Sequence, residues 1–215
     1  MKYIAGNEIK SHSDDFKEGI AYRDHKISFV LNRINGKRVL DLGCVMHNPN
    51  NMASKYWLHK AIKEKSSELV GLDLYEDGVK RLCESGYNVV HGDAQEFQFE
   101  KKFDVIVAAD IIEHLHNLEG FFISCRENLC TNGDLLISTP NPWHWRYIVK
   151  SLHKQVTVNK EHTCWFCPAT LGQLAARFGF RVESVSYGSR YMSDRVMPFP
   201  KRIKHTSFHT VLKII

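Results

Sequence analysis

Apolar positions along the chain fall into short runs set between segments of helical period. Residues 38–42 (Arg-Val-Leu-Asp-Leu) make the first run, closed by Gly43, the pattern of a strand buried in a parallel sheet. Helix-compatible spacing follows over about 52–65. Residues 68–72 predict a second strand ending at Asp73, and a helix is expected over about 77–83. Residues 87–91 predict a third strand closed by Gly92-Asp93, and residues 103–109, rich in Val and Ile, a fourth. Residues 117–129 carry amphipathic spacing, with Asn132-Gly133 as the terminating turn. Residues 135–139 predict a fifth strand, stopped by Pro140. A helix at 168–177 and strands at 180–187 and 207–214 finish the sheet, while residues 14–34 read as largely helical.

Five strands separated by helices predict an α/β architecture with helices on both faces of a parallel sheet. With no internal repeat and no linker, residues 1–215 read as one domain. Composition changes this little: 43% hydrophobic and 25% charged residues are ordinary for a soluble globular chain. No apolar run approaches the roughly 20 residues of a membrane span. The first residues lack a basic stretch followed by an apolar one, so a cytoplasmic location is expected. The six cysteines are scattered, which suits reduced thiols. Cys164-x-x-Cys167 would need two further ligands, such as Cys125 and Cys130, to build a structural zinc site, and packing beside Trp165 and Phe166 is the preferred reading. Net charge is +5. Its one cluster, Lys201, Arg202 and Lys204, reads as a solvated loop in preference to a phosphate-binding patch.

The acidic residues alter the picture more. Ligands on such sheets bind outside the C-terminal ends of the strands. Asp41-Leu42-Gly43-Cys44 closes the first strand, where a glycine lets the backbone approach a ligand. Asp73, followed by Leu74, closes the second, where a carboxylate can accept both hydroxyls of a ribose. Gly92-Asp93-Ala94 closes the third, within reach of an adenine amino group, and Asp110 closes the fourth. One such Asp is often a helix cap, but four at successive strand ends are hard to attribute to capping. The series Val39-Leu40-Asp41-Leu42-Gly43-Cys44, Val70-Gly71-Leu72-Asp73, Gly92-Asp93-Ala94, Phe103-Asp104-Val105-Ile106 and Leu135-Leu136-Ile137-Ser138-Thr139-Pro140-Asn141 resembles the class I S-adenosylmethionine-dependent methyltransferases. The resemblance covers roughly residues 36–187. It implies a Rossmann-like three-layer sandwich: a mostly parallel seven-stranded sheet with an antiparallel last strand, and S-adenosylmethionine as cofactor. It departs from the family at Val45 and His47, where glycines usually stand. Asn48-Pro49-Asn50-Asn51 is read as a reshaped turn in their place, in preference to a decayed cofactor site.

Methyl transfer from a sulfonium needs an aligned acceptor and, for a hydroxyl, a group that helps it lose its proton. In Asp110-Ile111-Ile112-Glu113-His114 a helical turn after the fourth strand would put residues i, i+3 and i+4 on one face. The second candidate segment is Glu161-His162. Carboxylates and imidazoles together suit Mg²⁺, Mn²⁺ or Fe²⁺ better than thiolate-preferring ions. These segments resemble the small-RNA 3′-end 2′-O-methyltransferases, and Glu113-His114 is also similar to the ubiquinone-pathway O-methyltransferases. The resemblance makes Asp110, Glu113, His114 and His162 the metal candidates. Without a metal, Glu113 and His114 order the loop, and His162 or His114 is the general base.

Residues 142–167 read as an insertion over the acceptor pocket and residues 1–36 as an N-terminal helical cap. In the insertion, Trp143, His144, Trp145, Arg146, Tyr147 and His153 either stack on a ring and meet an anion or form a partly buried helix. Tyr22-Arg23-Asp24-His25 is placed to close over the cofactor. The leading expectation is an O-methyltransferase of a small hydroxylated molecule, a sugar or phosphorylated glycan precursor. The layout is similar to that of bacterial methyltransferases of glycan biosynthesis. An RNA 2′-O-methyltransferase with Lys201, Arg202 and Lys204 on the phosphates is the first rival. A non-catalytic subunit supporting an active partner is the second. Oligomeric state is left open.

Overall fold

The computed structural model describes residues 24–45, 54, 56–153, 158–189, 194 and 197–215. In chain order its elements are α1 (Asp24–Leu31), β1 (Arg38–Leu42), α2 (Leu58–Lys63), β2 (Glu68–Asp73), α3 (Glu76–Glu84), β3 (Val89–His91) and β4 (Phe103–Ala109). A single 3₁₀ turn (Ile112–His114), α4 (Leu118–Asn128), β5 (Leu129–Pro140), α5 (Trp145–Leu152), α6 (Pro168–Arg177), β6 (Phe180–Gly188), α7 (Lys201–Lys204) and β7 (Ser207–Ile214) follow. Seven strands form one sheet in the order β3-β2-β1-β4-β5-β7-β6. The five from β3 to β5 pair in parallel, while β7 is antiparallel to both β5 and β6. The chain steps outward in opposite directions from β1 and β4. The crevice between them is therefore where a ligand is expected on such a sheet.

The alternation of side chains along each strand divides the core. Val39, Val105, Val107, Leu136 and Val211 face one side and pack against Phe29 and Val30 of α1, Ile34, and Ile62 of α2. Their neighbours Leu40, Ile106, Leu135 and Leu212 face the other and pack against Phe121 and Phe122 of α4 and Leu171 of α6. Two covered faces explain why these strands read as continuous apolar runs. The three-layer sandwich and antiparallel last strand match the expectation.

Some boundaries differ. The helix expected from residue 52 begins at Leu58 within the described residues, because Trp57 turns back to donate its indole N–H to the Cys44 carbonyl at 3.0 Å. The third strand starts at Val89, since the Tyr87 N–H still closes α3 on the Leu82 carbonyl. Asn132-Gly133 does not end α4. It lies inside β5, where Leu129 already pairs with Phe103 across a register shift, and α4 stops at Asn128. The basic cluster expected as a loop is the short helix α7. Residues 1–23 and 46–53, which include the first part of the predicted N-terminal helix, Tyr22-Arg23, His47 and the Asn48–Asn51 turn, lie outside the described residues.

Candidate active site

At the end of β1 the chain turns sharply at Gly43, in the left-handed region with φ 72°. A side chain there would also bring its Cβ to 3.1 Å from Ile111 Cδ1. Gly43→Ala is expected to lower stability by about 1–2 kcal/mol from the backbone alone, measured by urea denaturation. Asp41, just before the turn, is 2% exposed. Its Oδ2 meets Nδ1 of the equally buried His59 at 2.8 Å. The expectation put Asp41 at the cofactor; in the structure its carboxylate is engaged by His59 and ties β1 to α2. The Cys44 side chain is likewise buried, and burial followed by the charges of Asp41 and Asp73 drives its thiol far above the usual range.

Asp73 joins the two neighbouring loops. One carboxylate oxygen accepts the Val45 N–H at 2.7 Å and the other accepts the Tyr75 N–H at 2.9 Å. Leu74 and Tyr75 beyond it are 66% and 45% exposed, an apolar shelf at the mouth of the crevice. At the end of β3, Gly92 donates to the Asp73 carbonyl, and a Cβ on it would fall 2.8 Å from Leu72 Cδ1. Asp93 accepts the backbone and side-chain N–H groups of Gln95. The Gln95 side-chain Oε1 in turn accepts the N–H groups of His116 and Asn117. Ala94 is buried in the core. The crevice is thus edged by close backbone turns, with Asp73 and Asp93 at the strand ends beside it.

The end of β4 carries the reactive groups. Asp110 sits at φ 54°, the one described non-glycine residue in the left-handed region, a conformation of a kind concentrated at functional sites. Lys26 of α1 donates to its Oδ2 at 2.8 Å, and the Ser138 hydroxyl of β5 donates to its Oδ1. Desolvation alone would raise this carboxyl, but the Lys26 ammonium and these hydrogen bonds hold it below the usual carboxylate range. Because Asp110 is left-handed, the helical turn begins only at Ile112, and the expected i, i+3, i+4 face does not form.

Glu113 is 1% exposed and accepts the Thr139 hydroxyl at 2.9 Å. Its backbone carbonyl accepts the N–H and hydroxyl of Thr163, and that hydroxyl also reaches the Leu115 carbonyl. Thr163 thereby brings in its neighbour His162, whose ring lies 4.7 Å from that of His114, nearly perpendicular. Ligand atoms of Glu113, His114 and His162 all fall within 4.8 Å of one another, close enough to share one ion after small adjustments. Asp110, the fourth expected ligand, is outside this trio and engaged with Lys26 and Ser138. Burial, and next the Asp110 charge, raise the Glu113 carboxyl to about 7. Burial, and next the nearby His114, lower the His162 imidazole.

A raised carboxyl makes the folded state the stronger proton binder. Its stability contribution is therefore complete below the ordinary value of 4.5 and is lost as pH rises towards about 7. Glu113→Gln, which carries no such proton, is expected to gain about 3 kcal/mol relative to the parent between pH 4.5 and 7.5. Urea denaturation at the two pH values checks this. A pH-independent difference would place the Glu113 carboxyl at its ordinary value.

The insertion holds α5, which has no buried residue, so Trp145 and Tyr147 are not core. Trp143 is exposed, His144 is buried against Asp194, and His153 caps the helix end on the Val149 carbonyl. Cys125 is buried in the α4 core, while Cys164 lies beside the Ile112 carbonyl and Cys167 caps α6. Among the described residues these cysteines form no metal-ligating group. Sequence reasoning missed Lys26, His59, Gln95 and His209. Each is an isolated polar residue on an apolar face or in a loop, with no spacing signal to mark it.

A switch-point crevice with acidic groups at four strand ends, on a sheet ending in an antiparallel strand, is the architecture of the class I S-adenosylmethionine-dependent methyltransferases. The chain belongs to the methyltransferase-domain family, whose profile matches residues 18–185. It is 27% identical over 135 residues to a ubiquinone biosynthesis O-methyltransferase of Rickettsia felis, covering 60% of this chain and 52% of that protein. It is 28% identical over 106 residues to a malonyl-[acyl-carrier protein] O-methyltransferase of Haemophilus influenzae, covering 47% and 37%. The chain spans about half the length of the first of these curated relatives and less of the second. Among solved structures it superposes on an S-adenosylmethionine-dependent methyltransferase from Archaeoglobus fulgidus with TM-score 0.66 at 20% identity, covering 87% of this chain and 91% of the other. A second, from Mesorhizobium loti, gives 0.60 at 18% identity, covering 89% and 98%. These two likenesses concern the fold. No described helix is long and apolar enough to cross a membrane.

Proposed function

We propose that the chain methylates a hydroxyl of a small acceptor, a sugar or phosphorylated glycan precursor. The observation that carries this reading is the meeting of Glu113, His114 and His162 just beyond Asp110, because a hydroxyl is a weak nucleophile until a positioned base takes its proton. The relatives described above are named as O-methyltransferases, which supports oxygen as the target. Bound S-adenosylmethionine supplies a methyl group already activated on a sulfonium. Asp73 would hold its ribose hydroxyls, with Leu74 against the purine and Gly92, Asp93 and Ala94 along the purine edge. The Gly43-Cys44 backbone would lie beside its amino-acid portion, with Asp41 bracing that turn from behind. Asp110 would stand between cofactor and acceptor.

His162 is the candidate base. Its lowered affinity for protons keeps the imidazole neutral and ready to accept one near pH 7. His114, beside it, would orient the ring. The Glu113–His114–His162 donor set also fits Mg²⁺ or Mn²⁺, which would lower the acceptor hydroxyl's pKa if bound.

The test is transfer of a labelled methyl group to a panel of sugars and sugar phosphates, with and without chelator. His162→Ala is expected to lower kcat about 10²–10³-fold while affinity for S-adenosylhomocysteine stays within twofold. Unchanged turnover in both His162→Ala and His114→Ala, or a product methylated on nitrogen, would sink the reading. A rate falling steeply with salt would point to a polyanionic acceptor such as RNA.

A further inference from the structure

Helix α5 is turned the opposite way from a helix that packs on a core. At 3.6 residues per turn, Trp145, Ile148, Val149 and Leu152 share one face, and Arg146, Tyr147 and Lys150 fall on the other. In a globular protein the apolar stripe is the one that packs inward. Here the polar side is inward: Arg146, Tyr147 and Lys150 line the recess beside Asp110 and are engaged within the protein. Ile148 and Val149 are exposed, and Leu152 is 78% exposed. The apolar surface extends past the helix. Trp143, just ahead of α5, is exposed, and so is Phe199, whose ring centroid lies 6.5 Å from that of Trp145. Helix α7, which follows Phe199, is fixed to the same region, because the Asn141 side-chain amide donates to the Arg202 and His205 carbonyls, each at 2.8 Å.

Charge around this face has one sign. Residues 141–160 contain no Asp or Glu, and neither do residues 195–215. Of the cations there that are not engaged in the recess, Lys160 and Arg202 are exposed and Lys204 is half-buried. The acids that bound these two stretches in the chain are Glu161 and Asp194. Asp194 is buried and held by the Ser189 hydroxyl, the Trp145 indole and His144. Exposed aliphatic and Trp side chains beside basic residues suit the boundary of an anionic bilayer, where the apolar groups enter the acyl edge and the cations meet headgroup phosphates. A second copy laid on the same face would instead set two cationic patches against each other.

We propose that the surface formed by α5 and α7 docks the protein peripherally on an anionic phospholipid bilayer. Trp143, Ile148, Val149 and Leu152 enter the acyl boundary, and Lys160, Arg202 and Lys204 face the headgroups. Such docking does not depend on the methyltransferase reading above.

Flotation of the full chain with vesicles tests it, using phosphatidylcholine alone and phosphatidylcholine mixed equally with phosphatidylglycerol. Partitioning to the mixed vesicles is expected to be at least roughly tenfold stronger and to weaken with salt. It should fall at least roughly tenfold when Ile148→Ser and Leu152→Ser are combined, and by a similar factor when Lys160→Glu and Arg202→Glu are combined. Ile215→Ser and Lys80→Glu, exposed changes elsewhere, should leave it as in the parent. Since Ile148 and Leu152 are exposed, the urea midpoint of their variant should match that of the parent. Tryptophan emission should move to the blue with the mixed vesicles alone, and much less so in Trp143→Phe. No vesicle binding overturns the proposal, as does binding lost with the charge changes but kept with the serine changes. Self-association seen by sedimentation velocity, abolished by the serine changes and unaccompanied by vesicle binding, would overturn it in favour of a contact between copies.

Discussion

Asp41→Ala is expected to unfold with about 3 kcal/mol less free energy than the parent. Asp41 and His59 are 3% and 1% exposed at their side chains and meet at 2.8 Å. Removing the carboxylate strands His59 Nδ1 in a site where Nε2 already has no partner, and an uncompensated buried polar group carries its full desolvation penalty. The pair is packed among Trp57 and Tyr87, and a Cβ at Gly71 would collide with both Cys44 Sγ and His59 Cε1, so there is little room for water to replace it. Chemical denaturation of Asp41→Ala, His59→Ala and the double variant checks this. The double variant should cost less than the sum of the two single ones. Additive losses would show that the two side chains act independently, contrary to the geometry.

The second large effect falls on affinity. Asp73→Ala is expected to bind S-adenosylhomocysteine roughly a hundredfold more weakly by calorimetry, as follows from losing charge-assisted hydrogen bonds worth about 1.5–3 kcal/mol. The carboxylate also organises its surroundings through the Val45 and Tyr75 N–H groups. Asp73→Asn separates the two roles, since a side-chain amide oxygen can still accept a backbone N–H but carries no charge. Affinity in that variant should lie between the parent and the alanine form. Parent-like affinity in Asp73→Ala would mean that the ribose is held elsewhere and that Asp73 serves the loops alone.

Much of the sheet was legible because strands buried on two faces leave unbroken apolar runs. Val39-Leu40, Val105-Ile106-Val107 and Leu135-Leu136-Ile137 alternate between the two cores, and the acidic residues closing those runs marked where each strand stops. What local pattern could not supply was direction of approach. Asp41 and Asp73 look alike in sequence, each closing a run, yet one is engaged by the buried His59 of α2 and the other by backbone N–H groups of two loops. That choice depends on His59, eighteen residues on, and on a Val45 N–H contributed by another strand's loop. The same limit explains the metal set. A period of 3.6 residues grouped Asp110 with Glu113 and His114, but the left-handed backbone at Asp110 breaks that period before it starts. Trp145 and Tyr147 were ambiguous because amphipathic spacing shows that a helix has two faces, not whether anything covers the apolar one.

The reversed direction of β7 has a consequence for how such a catalyst can diversify. Running against β5, it delivers Ser207 and His209 to the rim where the parallel strands end, whereas a parallel strand would deliver its first residues to the opposite edge. The switch-point crevice lies between β1 and β4, and β7 stands two strands away from β4 across β5. Substitutions in the first half of β7 can therefore reshape its end of the rim while the crevice between β1 and β4 is left intact. The antiparallel strand makes two stretches of one rim separately adjustable.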